Sequence, residues 1–430
     1  MTYLKGGDTL ASARLNSVLE PLPHAGGEVR FFLNGDCTMT TTRLSNLSDQ
    51  YLKAITDDWA YLCLGEIRLP LDRVFFMLRV REQSPRIFPV VPRGDLEPNP
   101  ERLSDTGIDA VPMSTHRLPV LPVPLGEALL SAPHLAFLGE PGAGKSTALQ
   151  FIGLSFAGKT ADDHLGIRET RYPVLIILQA VTKSLQDEKI VLKDILVGEV
   201  RQRLNCEPEE ARDLLESWHE AKQLLVLLDG LDEVPAAQRS AVFRKIENFL
   251  RSPYGHQARV VLTSRLAGFT SLAGMVEFTV QPFEDPEKEA QPFLKSWLAA
   301  LKPEWTQKEA EIRAAELRKQ MQGRPAMRSV LNNPLLLRLS AETYARTGEI
   351  ARNRAALYVR HVEEMWTRAE KQRNALAEQK DVALEALEAL AWHLQQGGGN
   401  DKATLCGVLE TNKTHGEAKA LLELLREKTG

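Results

Sequence analysis

The 430-residue sequence is short of several things that would settle its class quickly. It has four cysteines, Cys37, Cys63, Cys206 and Cys406, far apart and without a CxxC pair. That spacing fits neither a disulfide framework nor a zinc site, and predicts buried free thiols in a reducing compartment. The nine histidines include no HExxH and no i, i+4 pair, which excludes the usual zinc-hydrolase pattern. No serine sits in GxSxG, so the nucleophile elbow of α/β-hydrolases is absent too. No apolar run approaches the roughly 20 residues of a spanning helix; the longest, such as Val174–Leu178 and Leu224–Leu228, are strand-sized. Residues Met1–Asn16 have no signal-peptide core, so a cytoplasmic protein is expected. Charge of one sign is missing as well: 53 Lys and Arg stand against 57 Asp and Glu, a net −4. Such balance argues against a protein built to coat nucleic acid or an anionic membrane.

What is present falls into three regimes. Up to about residue 128 the chain is rich in turn residues, with a helical stretch at Leu47–Tyr61 and an alternating, strand-like segment at Leu69–Val80. Pro92–Pro124 reads as an extended linker. From 129 to 282, apolar strands alternate with amphipathic helices. Strands are predicted at His134–Leu138, Pro173–Leu178, Gln223–Leu228, Arg259–Thr263 and Val276–Val280. Helices are predicted at Ser146–Phe156, Val191–Leu204, Glu209–Ala221 and Ala236–Leu250. Strands this apolar are buried on both faces, as in a parallel sheet flanked by helices. From 283 onward the pattern is helical. Leu384, Leu387, Ala391 and Leu394 form a stripe expected to pack in a core, on a helix ending at Gly397–Asn400. Trp218, Trp297, Trp366 and Trp392 are likewise expected in cores, and Arg313–Lys319 reads as a solvated helix face.

The strongest chemical signal is Gly139-Glu-Pro-Gly-Ala-Gly-Lys-Ser-Thr147, a full GxxxxGK[ST] between a strand and a helix. Gly142 and Gly144 let the backbone curl so that successive N–H groups, from Glu140, Ala143 and their neighbours, point at phosphate. Pro141 lies within the same loop. Lys145 can reach the β- and γ-phosphates, Ser146 can ligate Mg²⁺, and Thr147 can touch the α-phosphate. Some eighty residues on, the strand Leu224–Leu228 ends in Asp229, where a carboxylate can hold Mg²⁺. Asp232 and Glu233 follow, close enough to orient or deprotonate an attacking water. A third strand ends in Thr263, Ser264 and Arg265. Arg265 there can sense or neutralise a γ-phosphate, with Thr263 or Ser264 as polar sensor, or make a structural ion pair.

Together these residues resemble the NACHT family of STAND P-loop NTPases, in its bacterial-type, NLR-related form. The most specific stretch is Leu227-Leu-Asp-Gly-Leu-Asp-Glu-Val234, with its acidic pair beyond Asp229. Val260–Arg265 is similar to the family's sensor strand, and Asn333-Pro-Leu-Leu-Leu337 to the signature of its helical domain. Asn353–Tyr358 resembles the opening of a winged-helix domain, and Leu69–Val80 a strand that precedes bacterial NACHT modules. The resemblance implies an α/β P-loop sheet at 129–282, an all-α lid at 283–350 and a winged-helix-like domain at 351–430, apparently truncated. It implies bound ATP or ADP with Mg²⁺, ATP favoured over GTP, and Pro334 packed on adenine. It implies a switch with slow hydrolysis: a trigger permits exchange of ADP for ATP, opening, self-oligomerisation and signalling to an effector, in anti-phage or innate immune defence. Two other classes are compatible with the P-loop: a mechanical AAA+-like ring, which needs an arginine finger in trans, and a DNA-binding regulator. The acidic residues Glu363, Glu364, Glu385 and Glu388 in the 351–430 region argue against the latter.

Overall fold

The computed structural model describes residues 35–64, 67–83, 121–371, 380–396 and 402–411. The chain divides into two compact units, Met1–Arg43 and Leu44–Gly430. In the first, residues 35–43 are helical; all that follows concerns the second.

Helix α1 (Gly35–Trp59), of which the part from Leu44 belongs to this unit, leads into a two-stranded antiparallel ribbon of β1 (Tyr61–Leu64) and β2 (Ile67–Pro70). Seven further strands form one sheet: β3 (Arg79–Glu82), β4 (Val123–Pro124), β5 (His134–Leu138), β6 (Tyr172–Ile177), β7 (Leu224–Asp229), β8 (Arg259–Ser264) and β9 (Val276–Val280). Their order is β4-β3-β9-β5-β8-β7-β6. The five strands from β9 to β6 run parallel; β3 and β4 add an antiparallel edge. All five residues of β5 and all six of β8 are buried, as an apolar strand covered on both faces must be. Because β5 lies between β8 and β9 while the next strand in the chain, β6, is at the far edge, the connections diverge beside β5. A crevice therefore opens at its C-terminal end.

Each of the five predicted strands forms within one or two residues of its expected bounds. So do the helices α2 (Lys145–Ala157), α3 (Leu192–Leu204), α4 (Pro208–Glu220) and α5 (Ala236–Arg251). One reading fails: Leu69–Val80 is not one strand. It passes from the end of β2 through a helical turn at Leu71–Val74 and an extended stretch to β3. The reason is that its apolar residues serve two cores. Leu71, Leu78 and Val80 belong to the core of the sheet, whereas Leu69 and Val74 belong to a second core built by the following helices. A single strand cannot face both.

That second core gathers α6 (Gln291–Leu301), α7 (Gln307–Gly323) and α8 (Pro334–Thr347) around Trp297, Leu317 and Leu337. Within the stretch read as a solvated face, Arg318 is buried, held by Gln291, Gln322 and Glu287. Farther on, α9 (Arg354–Lys371), α10 (Lys380–Gln395) and α11 (Lys402–Thr411) are helical, in keeping with the predicted all-α character. The stripe on α10 is rotated from its expected place: Ala386 and Leu390 are buried, but Leu394 is 46% exposed and Ala391 faces solvent. Of the tryptophans, Trp218 and Trp297 are buried as expected, Trp392 is 65% exposed, and the side chain of Trp366 lies outside the described residues. Cys63 and Cys206 are free thiols, though Cys63 is exposed rather than buried. The linker at Pro92–Pro124 falls outside the described residues up to 120, and its last two residues form β4.

Helix α2 is anchored from both sides of the sheet core. Leu149 and Ile152 are fully buried, each burial stabilising by about 1.5–3 kcal/mol. At Gly153 the helix meets Trp59 so closely that an added Cβ would lie 2.2 Å from the indole Cζ3 and 3.2 Å from Leu227. Gly153→Ala should gain about 1 kcal/mol of helix propensity on an open surface. Here overpacking, about 1–3 kcal/mol, outweighs it. The expected outcome is a lower urea midpoint; a raised midpoint would contradict this packing.

Candidate nucleotide site

The crevice at the end of β5 is a cavity of about 290 Å³ with a polar and an apolar wall. The polar wall begins where β5 stops. Gly142 and Gly144 take φ of +75° and +89°, which L side chains rarely adopt, and Gly144 is the N-cap from which α2 starts. Pro141, Gly142, Gly144, Lys145, Ser146 and Thr147 line the cavity, with the positive end of α2 aimed into it. Gly139, Glu140 and Ala143 do not line it. Gly139 is buried and donates its N–H to the Ser264 carbonyl (3.2 Å), tying the loop to β8. The ammonium of Lys145 folds over the loop and donates to the carbonyls of Gly139 (2.8 Å) and Glu140 (3.1 Å). Burial pushes its pKa down, while Asp232 pulls it back up and Arg265 lowers it further.

Opposite the loop, β7 delivers Asp229. Its Oδ1 accepts from the hydroxyls of Ser146 (3.1 Å) and Thr263. The Thr263 hydroxyl in turn accepts from the Gly230 N–H (3.0 Å). Of the three residues read as a polar triplet, buried Thr263 is therefore the one that organises the carboxylate; Ser264 contributes its backbone.

The acidic pair beyond Asp229 splits in two. Asp232 is engaged: Oδ2 pairs with Arg265 Nε (2.8 Å) and Oδ1 accepts from the Arg265 N–H (3.0 Å). Arg239, which the sequence reading missed, clamps the turn by donating to the carbonyls of Asp232 (2.9 Å) and Val234 (3.1 Å). The Glu233 N–H closes the turn onto the Gly230 carbonyl (3.0 Å), whereas its carboxylate makes no hydrogen bond or ion pair among the described residues and keeps an exposed face. Desolvation of its inner side, and then the charges of Asp229 and Asp232, push its pKa up. A carboxyl poised this way is a better proton acceptor than an ordinary glutamate.

The apolar wall was largely illegible beforehand. It comes from three separated segments: Phe75, Phe76 and Leu78, then Phe283, then Trp297. Phe75 stacks on Phe151 of α2 at 3.9 Å, and Phe76 meets Phe283 edge-on at 5.2 Å. Pro334 completes this wall, beside Arg338, whose guanidinium stands 5.7 Å over the Trp297 ring. No motif marks aromatic residues so dispersed; only their clustering in space reveals them.

Helix α8 also touches the P-loop directly. The Asn333 side-chain amide donates to the Pro141 carbonyl (3.1 Å), and the Leu335 N–H donates to the Gly142 carbonyl (3.2 Å).

Residues 134–300 match the NACHT domain family. The mostly parallel seven-stranded sheet flanked by helices, with a helical part after it, is of the P-loop NTPase class. Among solved structures, a Walker-type ATPase of Pyrococcus abyssi is similar at 17% identity and TM-score 0.34, covering 71% of this chain and 87% of that one. The Cdc6p protein of Pyrobaculum aerophilum is similar at 13% identity and TM-score 0.28, covering 68% and 79%. The Orc1 protein of Aeropyrum pernix, solved in complex with DNA, is similar at 16% identity and TM-score 0.30, covering 68% and 76%. No curated protein matches the sequence.

The donor set suits Mg²⁺. Ser146 and Asp229 offer hard oxygen ligands side by side, and Mg²⁺ uses one or two such groups together with substrate phosphates. Among the described residues no group of three or more His, Cys, Asp or Glu is placed to hold a metal. No helix among them is long and apolar enough to cross a membrane.

Thr263→Val is the sharpest probe of the polar wall. It keeps volume and strand propensity but leaves the buried Gly230 N–H without an acceptor, at a cost of about 1–3 kcal/mol. The expected outcome is a urea midpoint lowered by that amount in ligand-free protein. An unchanged midpoint would show that the hydroxyl bridge is dispensable.

Proposed function

We propose that this chain is an ATP- and ADP-binding switch with slow, Mg²⁺-dependent hydrolysis. The match of residues 134–300 to the NACHT domain family supports a nucleotide-binding NTPase in general. The observation that carries the finer reading is the shared cavity: the P-loop, Asp229, Glu233 and the first turn of lid helix α8 all line one space. A nucleotide seated there touches sheet and lid at once, so its phosphate number can bias their relation.

In this reading the chain comprises an N-terminal region to 128, the nucleotide domain at 129–282, the lid at 283–350 and a winged-helix-like domain at 351–430. Residues 412–430, and the connections between α9, α10 and α11, lie outside the described residues. The curled P-loop backbone cradles the phosphates, Lys145 leaves its two carbonyls for the β- and γ-phosphates, and Thr147 contacts the α-phosphate. Ser146 and Asp229 would hold Mg²⁺, which, when bound, neutralises charge developing on the phosphates. Glu233, unpartnered and with raised basicity, takes the proton of the attacking water. Asp232 positions Arg265, which reaches the γ-phosphate once the ion pair loosens. The dispersed aromatic residues and Pro334 supply an apolar seat for the base, with Arg338 beside them.

The resemblance to NACHT proteins adds the wider context: exchange of ADP for ATP on a trigger, self-oligomerisation, an effector partner, a cytoplasmic setting and a role in anti-phage or innate immune defence.

Two variants test the reading. Lys145→Ala should leave the circular-dichroism spectrum unchanged and weaken ATP binding roughly ten- to hundredfold, the worth of hydrogen bonds to a charged group. Wild-type affinity in calorimetry would remove the P-loop assignment. Glu233→Gln should bind ATP normally yet hydrolyse it at least about a hundredfold more slowly, as expected for loss of a general base. Hydrolysis at the wild-type rate would take the proton-acceptor role from Glu233.

A further inference from the structure

One amide group, that of Asn333, makes two bonds of different kinds. Its Oδ1 accepts from the Leu336 N–H (3.2 Å) and so caps α8. Its Nδ2 donates across the cavity mouth to the Pro141 carbonyl (3.1 Å). The Leu335 N–H, one of the first-turn donors that α8 cannot satisfy internally, goes to the Gly142 carbonyl (3.2 Å). The lid thus grips two successive carbonyls of the P-loop.

Peptide planarity gives those two bonds their meaning. The Pro141 carbonyl shares a rigid trans plane with the Gly142 N–H, and the Gly142 carbonyl shares one with the Ala143 N–H. In a trans plane C=O and N–H point in opposite directions. A loop that turns the Gly142 N–H toward phosphate must therefore turn the Pro141 carbonyl away from it, toward α8; the Ala143 N–H is already committed to the Glu140 carbonyl (3.2 Å). The Asn333 amide thus holds the back of the plane whose front can face a phosphate. The approach is close enough to require glycine: a Cβ on Gly142 would stand 2.7 Å from Leu335 Cβ and 3.1 Å from Asn333 Oδ1.

We propose that Asn333 is a positioning residue that couples lid helix α8 to a nucleoside diphosphate, through its Nδ2 bond to the P-loop and not through its cap. The proposal rests on the reading of this cavity as a nucleotide site. With the lid in place, the Pro141–Gly142 plane is held with its N–H preset, so the diphosphate is released slowly. By linkage, the bound diphosphate holds that plane and thereby the first turn of α8 with the same coupling free energy. Loss of the Nδ2 donor uncouples the two while the helix stays capped.

Asn333→Ser separates the roles. Serine is as good a cap as asparagine, but its hydroxyl is too short to reach the Pro141 carbonyl. Asn333→Ala removes both the cap and the donor. In the full chain, with fluorescent ADP as probe, Asn333→Ser is expected to keep the wild-type urea midpoint and to release ADP about fivefold faster, the effect of one hydrogen bond. In wild type, ADP should slow hydrogen exchange at the amides of Leu335 and Leu336; in Asn333→Ser that slowing should be largely lost. If release is fast only in Asn333→Ala and follows its lowered urea midpoint, Asn333 is a cap alone and the coupling is overturned. Wild-type release and an undiminished exchange response in Asn333→Ser overturn it too, and leave the nucleotide reading standing if Lys145→Ala has lost ADP. Failure of the wild-type chain to bind ADP overturns that underlying reading instead.

Discussion

The constraint on which the site depends is backbone direction at the end of β5. A strand buried on both faces must leave the sheet and turn into α2 within a few residues. Only the left-handed conformations at Gly142 and Gly144 achieve this without steric cost. The same turn exposes carbonyls, and these are what the lid takes hold of. One short loop thus lines the cavity and also gives two of its carbonyls to α8.

Around that turn the polar groups satisfy one another. Thr263 bridges Asp229 and Gly230, Asp232 holds Arg265, and Lys145 rests on loop carbonyls. In a partly buried site such pairing avoids the penalty of unmatched charge. It also ranks the acidic residues by availability: Asp232 is committed to Arg265, whereas Glu233 is not. Two adjacent carboxylates of the same motif thus have different surroundings, and the difference comes from the 3-10 turn at Leu231–Glu233 and from Arg239 behind it.

The N-terminal segment is integral to this arrangement. Trp59 packs on α2 at Gly153, Val80 pairs with Val280 at the edge of the sheet, and Phe75 and Phe76 form part of the cavity wall. The alternating pattern of Leu69–Val80 hinted at a strand because it places apolar residues on two sides. Those two sides turn out to be two cores, and the chain bends between them so that both are filled. Period-two alternation cannot distinguish these cases, since it records which residues are apolar and not what each will meet.

Local chemistry was enough to locate the strands, the helix after the P-loop and most of the polar wall. Those features depend on short-range rules: continuous apolar runs for buried strands, glycine where φ must be positive, a carboxylate at a strand end. The aromatic wall, the engagement of Asp232 by Arg265, the Arg239 clamp and the double duty of Asn333 could not be read that way. Each joins residues distant in the chain, up to 192 positions for Asn333 and Pro141, and none leaves a periodic or motif signature. Nor could the exposure of Trp392, because an aromatic residue in a helical pattern reveals its helix but not which face a neighbour covers. The sequence by itself determined that this chain has a P-loop sheet with a helical part after it. The tertiary structure decided which side chains face the cavity and which are held by one another, because that depends on how two hydrophobic cores meet across a single turn.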